Sequence, residues 1–162
     1  MKTIDVGTGS IWGTNVDDQI WFKSERTEPW QKVEGNLKQI SVGHAGDVWG
    51  VTSGGQIYFR EFDAWTDSGY VKAGSDDPLD VWDAGVEWKQ KDGHLKQLSV
   101  GPNGELWGVS YNRQIWYSAS KDSSWTSIDG GLSQIDIGAN GLVIGVDNEN
   151  IFIRTGTQDT TG

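Results

Sequence analysis

Apolar side chains in this chain fall in short alternating runs and not at helical spacing. Leu37-Lys38-Gln39-Ile40-Ser41-Val42 alternates, Gly43-His44-Ala45-Gly46 interrupts, and Val48-Trp49-Gly50-Val51 begins a new run. Short alternating runs bounded by Gly, Asn and Ser clusters read as strands joined by hairpins. The pattern predicts four strands here, Lys38 to Val42, Asp47 to Thr52, Gln56 to Arg60 and Trp88 to Lys91. The third strand type is apolar at successive positions, as in Ile20-Trp21-Phe22, Ile57-Tyr58-Phe59, Ile115-Trp116-Tyr117 and Ile151-Phe152-Ile153. A strand apolar on both sides is expected to be covered on both faces.

The same phrase recurs. Leu95-Lys96-Gln97-Leu98-Ser99-Val100-Gly101 is followed by Leu106-Trp107-Gly108-Val109. Shorter versions are Ile4-Asp5-Val6-Gly7 with Ile11-Trp12-Gly13, and Ile135-Asp136-Ile137-Gly138 with Val143-Ile144-Gly145-Val146. Trp12 and Trp49, Trp107 and Ile144, and Trp88 and Trp125 each lie 37 positions apart, whereas Trp49 and Trp107 lie 58 apart. The second unit therefore carries an insertion near 61–87. The predicted organisation is a single domain over 1–162 made of four units, at about 1–35, 36–92, 93–129 and 130–162. A unit of this size cannot bury its apolar face alone and depends on its neighbours. Four-stranded sheets stacked face to face around an axis form a β-propeller, so the expected fold is all-β. The last unit has no Trp-containing outer strand after Ile151 to Arg154, which predicts either a self-closed ring with one short blade or completion by another chain, a homo-oligomer first among these.

Trp12, Trp49 and Trp107 are expected in the core, each followed by a Gly that lets a neighbour approach closely. Ile144 replaces this Trp in the fourth unit, where Phe152 is a candidate to compensate. Net charge is −10 over 162 residues, which opposes attraction to nucleic acid and anionic membranes and favours neutral partners. There is no cysteine, hence no disulfide or thiolate metal site. No long apolar stretch marks a signal peptide or a membrane-spanning helix, so no membrane insertion is expected. The acidic groups Asp17-Asp18, Asp76-Asp77-Asp80 and Asp147-Asn148-Glu149 read as solvated turns, and His44 and His94 stand in no zinc or nucleophile motif. No cofactor, metal or enzymatic activity is expected.

The pattern W-x-x-x-x-G-x-L-K-Q-I-S-V-G-x-x-G-x-V-W-G-V, then I-Y-x-R, resembles tectonin repeats. Trp30 to Arg60 carries nearly all of it, Trp88 to Tyr117 is a close second, Trp125 to Arg154 is looser, and Ile4 to Lys23 is partial. The resemblance implies a β-propeller. Through the branch that includes fish-egg and innate-immunity lectins, it implies binding of glycans on cell or microbial surfaces at an extracellular or cell-surface location. Other members are intracellular interaction modules, which makes a protein-interaction or structural propeller the alternative and a glycosidase a distant third. The chain departs from typical six-repeat members in having four copies and an insertion.

A site for neutral or N-acetylated sugars needs an aromatic face beside polar groups, because sugars alternate C–H patches with hydroxyls. The candidate sets are Trp21 with Asn15, Tyr58 with Arg60, Trp116 with Asn112, and Phe152 with Asp147 and Arg154. Trp65, Tyr70 and Trp82 in the insertion are further candidates for a ligand or partner surface.

Overall fold

The computed structural model describes residues 1–7, 10–24, 29–44, 46–60 and 87–154. The insertion, with Trp65, Tyr70, Trp82 and the Asp76-Asp77-Asp80 group, and the segment after Arg154 lie outside the described residues. Among the described residues every regular element is a strand. The first sheet comprises β1 (Thr3–Gly7), β2 (Ser10–Thr14), β3 (Gln19–Ser24) and β4 (Gln31–Asn36). The second has β5 (Gln39–Val42), β6 (Val48–Val51), β7 (Gln56–Arg60) and β8 (Lys89–His94). The third has β9 (Gln97–Val100), β10 (Leu106–Val109), β11 (Gln114–Ser118) and β12 (Thr126–Gly131), and the fourth has β13 (Gln134–Ile137), β14 (Val143–Asp147) and β15 (Asn150–Arg154). Each sheet is an antiparallel meander in chain order. Sheets of successive repeats pack face to face as propeller blades, through β1 and β2 on β5, β5 and β6 on β9, and β9 and β10 on β13. The fourth sheet has three strands among the described residues.

Every joint between blades has the same composition. One blade supplies Trp, Ile and an aromatic from its second and third strands, and the next supplies a linker Leu and the apolar residues of its first two strands. The first joint sets Trp12, Ile20 and Phe22 on Leu37, Ile40, Val42 and Val48. The second sets Trp49, Val51, Ile57 and Phe59 on Leu95, Leu98, Val100 and Leu106. The third sets Trp107, Val109 and Ile115 on Leu132, Ile135, Ile137 and Val143. Cross-strand ring pairs reinforce each surface, with centroids 4.9 Å apart for Trp12–Phe22, 4.6 Å for Trp49–Phe59 and 4.9 Å for Trp107–Tyr117.

The Gly after each Trp is explained by the linker leucine. A Cβ on Gly50 would stand 2.5 Å from Leu37 Cδ1, on Gly108 2.4 Å from Leu95 Cδ1, and on Gly145 2.3 Å from Leu132 Cδ1. Each leucine thus lies in a notch that only glycine leaves open. Ile144 fills no joint: it lies on the outward face of the fourth blade and is exposed, and Phe152, opposite Gly145, is exposed as well. Phe152 does not compensate for Ile144, because the two lie on opposite faces of the fourth sheet.

Polar clamps on the inner strands complete the joints. Gln39 donates through Nε2 to Leu98 O (3.0 Å) and accepts Leu98 N–H at Oε1 (3.2 Å). Gln97 does the same to Ile135, at 2.6 and 2.9 Å. The first joint has Thr3 at this position and uses a carboxylate instead, Val42 N–H donating to Asp5 Oδ2 (2.8 Å). Burial pushes the Asp5 carboxyl above its usual range, with the charge of Asp136 a smaller push in the same direction, against the opposing hydrogen bonds from Val42, Val6 and Ser41.

The outer strands run further than the sequence pattern predicts, to His94 rather than Lys91 in the second blade. The extra length is a β-bulge: Gln56 faces His94 while Ile57 faces Lys91, and the same shift separates Gln19 from Ile20 and Gln114 from Ile115. Gly93, at φ 120°, supplies the positive angle that the bulge requires.

The notch predicts that Gly108→Ala overpacks the second joint and costs about 1–3 kcal/mol in urea unfolding. Gly54→Ala, where the nearest atom to the new Cβ is 3.7 Å away, should stay within about 0.5 kcal/mol of the parent. Equal effects of the two would show that the leucine moves freely out of the notch.

Candidate functional site

The third strands place Trp21, Tyr58, Trp116 and Phe152 at equivalent positions, each opposite the Gly that follows the joint Trp or its equivalent. The side chain on that face looks back at the preceding blade. Tyr58 accordingly packs on the first joint with Trp88, and Trp116 on the second with Trp125, all four half-buried. The outer-strand indoles reach across the joint: Trp88 Nε1 donates to Glu34 O (2.9 Å) and Trp125 Nε1 to Asp92 O (2.7 Å). The bulge glycines make this approach available, since a Cβ on Gly93 would meet Trp125 Nε1 at 3.0 Å.

Between the second and third blades these features enclose a cavity of about 270 Å³ lined by Trp116 and Trp125, with His94, Leu95, Ser110 and Asn112. The volume lies just under the range of ~300–1,000 Å³ common for small-molecule sites. Two indoles form apolar walls, and His94 and Asn112 are exposed at the rim. Ser110 Oγ donates to Asn112 Oδ1 and fixes the amide, whose Nδ2 has no hydrogen-bond partner among the described residues. By repeat equivalence the first joint carries Asn36, Thr52, Tyr58 and Trp88 at the corresponding places. The third joint lacks a following outer-strand Trp and has a different cavity, of about 220 Å³, where Trp107, Ile128, Gly130, Phe152 and Arg154 are exposed to one space. There the Arg154 guanidinium stands 5.1 Å over the Trp107 ring, at cation–π distance.

The expected sets are therefore distributed unevenly. Asn112 and Trp116 come together in the main groove. Asn15 closes its own turn, accepting Asp17 N–H (3.0 Å) and Gln19 N–H (2.9 Å) at Oδ1 and donating to Gln19 Oε1 (2.8 Å), so its polar atoms are engaged away from Trp21. Trp21, half-buried, lies on the face of the first blade that no other sheet covers among the described residues. Tyr58 and Arg60 share a face of β7, both half-buried. Asp147 forms an ion pair with Arg113 of the third blade, while Phe152 and Arg154 line the second cavity. Pairing an aromatic with a polar residue of its own blade does not find His94, which comes from the end of β8 in the preceding blade, nor Trp125, whose indole joins the groove from the start of the outer strand. The recurrence of Trp88 and Trp125 beside the bulge glycines Gly35 and Gly93 is the sequence signal that marks them. Among the described residues no group of three His, Asp or Glu side chains is placed to hold a metal ion.

Trp125 is held from behind by a buried cation. Lys91 Nζ, 5.4 Å from the Trp125 ring centroid, donates to Lys121 O (2.8 Å), Ser123 O (2.6 Å) and, at 3.5 Å, Ser120 O. The single Ser118 O–H is shared between Ser120 O (2.8 Å) and Ser123 O (2.9 Å) of the same loop. Burial lowers the Lys91 pKa, opposed by Asp122 and Asp92.

Four antiparallel meanders packed face to face as blades define a β-propeller. The Tectonin domain model matches residues 1–76, and Tectonin-1 of Physarum polycephalum is 35% identical over 88 residues, which are 54% of this chain and 30% of that protein. Both matches are to tectonin proteins, and each reaches only part of this chain. Among solved structures, YCF48 bound to D1 peptide superposes with a TM-score of 0.66 at 12% identity, covering 100% of this chain and 52% of that one. YCF48 from Cyanidioschyzon merolae gives 0.65 at 8%, covering 92% and 48%. These two show the fold alone. The chain spans less than a third of Tectonin-1 and about half of the YCF48 chains.

Lys91 supplies a pH test of this support. Its folded pKa is lowered, so between that value and the ordinary lysine range the unfolded chain binds more protons and stability gains with rising pH. The stability of the parent relative to Lys91→Met should therefore rise on the alkaline side, followed by urea midpoints at a series of pH values. A flat difference would mean that Lys91 is as well solvated folded as unfolded.

Proposed function

We propose that this chain is a non-catalytic carbohydrate-binding module that recognises neutral or N-acetylated glycans on cell or microbial surfaces, at an extracellular or cell-surface location. The observation that carries the reading is the groove between the second and third blades. Trp116 and Trp125 offer indole surface for the C–H face of a sugar ring, and Asn112, His94 and Ser110 offer donors and acceptors to its hydroxyls or N-acetyl group. Tyr58 with Trp88 presents a related surface at the first joint, and Arg154 with Phe152 a more open one at the third. Weak grooves repeated around one axis gain avidity when the glycan is displayed on a surface. The charge of −10 supports neutral ligands, for which stacking and hydrogen bonding are local and little screened by salt.

A glycan array followed by titration calorimetry tests the reading, and an array with no glycan bound above background would overturn it. Trp116→Ala should weaken the best ligand at least tenfold, which is about 1.4 kcal/mol, and leave the unfolding transition cooperative. Trp107→Ala, in the buried third joint, should cost about 3–5 kcal/mol of stability. Affinity should change little as salt is raised.

A further inference from the structure

The two outermost sheet faces are the two halves of a joint that the fold already builds three times. On the first blade Met1, Ile4, Val6 and Ile11 occupy the places of Leu37, Ile40, Val42 and Val48. Met1 Cε lies 3.0 Å from where a Cβ on Gly13 would stand, so it covers the same kind of notch as the linker leucines. Ile4 and Val6 are nevertheless 59% and 64% exposed, whereas Ile40 and Val42 are 3% and 8% exposed. On the fourth blade Ile151 and Ile153 take the places of Ile57 and Phe59; they are 72% and 59% exposed against 0% and 8%. No joint of comparable extent brings these faces together within the chain among the described residues.

The polar clamp is also divided between them. Gln134 begins β13 as Gln39 and Gln97 begin β5 and β9, yet its amide is exposed and has no partner among the described residues. Ile4 stands opposite Gly13 in the register in which Leu98 stands opposite Gly108 and Ile135 opposite Gly145, the two residues whose main chain the glutamines grip. A donor face and an acceptor face of one type, on opposite ends of one chain, fit each other and not themselves.

We propose that a second copy of this chain docks head to tail, the fourth blade of one copy on the first blade of the next, with Ile144, Ile151 and Ile153 against Met1, Ile4, Val6 and Ile11 and with Gln134 clamping the main chain of Ile4. The contact is heterologous, so each copy keeps one face for a further copy unless the rotation closes a ring. This differs from pairing at the free edge of β15: the joint is a stack of sheet faces. One mismatch weakens it. Asp136 would stand beside the partner copy's Asp5, whereas the internal joints set Asp5 with Ser41, and Ser99 with Asp136.

Sedimentation of the full chain tests the assembly. The parent should sediment as a species heavier than a monomer at high micromolar concentration, and a monomer throughout that range overturns the proposal, as it would if the chain's own segment 61–86 covered these faces. Ile4→Asp with Val6→Asp blocks one face, and Ile151→Asp with Ile153→Asp blocks the other. All four sites are exposed, so both variants should fold, which circular dichroism checks. Each variant alone should be monomeric, and an equimolar mixture should form a one-to-one complex through the two faces left intact. Failure to complement, or self-association of either variant alone, overturns head-to-tail docking. Asp136→Ser should tighten the parent's association several-fold, and unchanged or weaker association would refute the proposed register.

Discussion

The constraint on which this structure rests is that no single sheet has an inside. A four-stranded meander apolar on both faces is stable only when something covers each face, and here the cover is the next copy of the same unit. The linker leucine shows how closely the units are fitted. Leu37, Leu95 and Leu132 each enter a notch opened by a missing side chain and meet the Trp-bearing face of the blade before. Stability is therefore lodged in the joints, and the glycine that follows the Trp is a packing residue.

The grooves are by-products of that stacking. Successive sheets are clamped at their inner strands by Gln39 and Gln97, and further out an indole reaches across to the carbonyl beside a bulge glycine. The space left under the bridge has aromatic walls because the third-strand residue must cover the joint from the same side. Packing and recognition thus draw on the same residues, which is why Trp116 and Trp125 are only half buried while Trp49 and Trp107 are buried.

Much of this architecture was legible in the sequence. The interval of 37 positions marks the unit, and the Gly-flanked breaks mark the hairpins. The stacking of the units and the Trp-Gly packing between them were legible too, whereas the polar and bulge details of the joints were not. A bulge at Asp92 and Gly93 leaves no alternation to read, so the outer strand looked shorter than it is. Pairing residues within one blade misses His94, which reaches the groove of Trp116 and Trp125 from the blade before. Asn15 looked like a sugar ligand because composition does not reveal that its turn already uses the carbonyl and amide. Ile144 looked like a weaker core residue because the sequence pattern does not say which face of the last sheet has a neighbour.

Lys91 is the odd member among equivalents that are otherwise apolar, Val33 in the first blade and Ile128 in the third. Near-identical units in tandem run the risk of docking out of order, since every Trp-bearing face would accept any leucine-bearing face, and misassembly of this kind is a known failure of repeat proteins. Among the described residues one loop, at 118–125, turns three carbonyls toward this ammonium. A wrong neighbour would leave the charge buried without them, an error far costlier than a poorly filled apolar gap. The lysine's contacts thus distinguish this joint from its look-alikes, since its charge is satisfied only where that loop lies opposite.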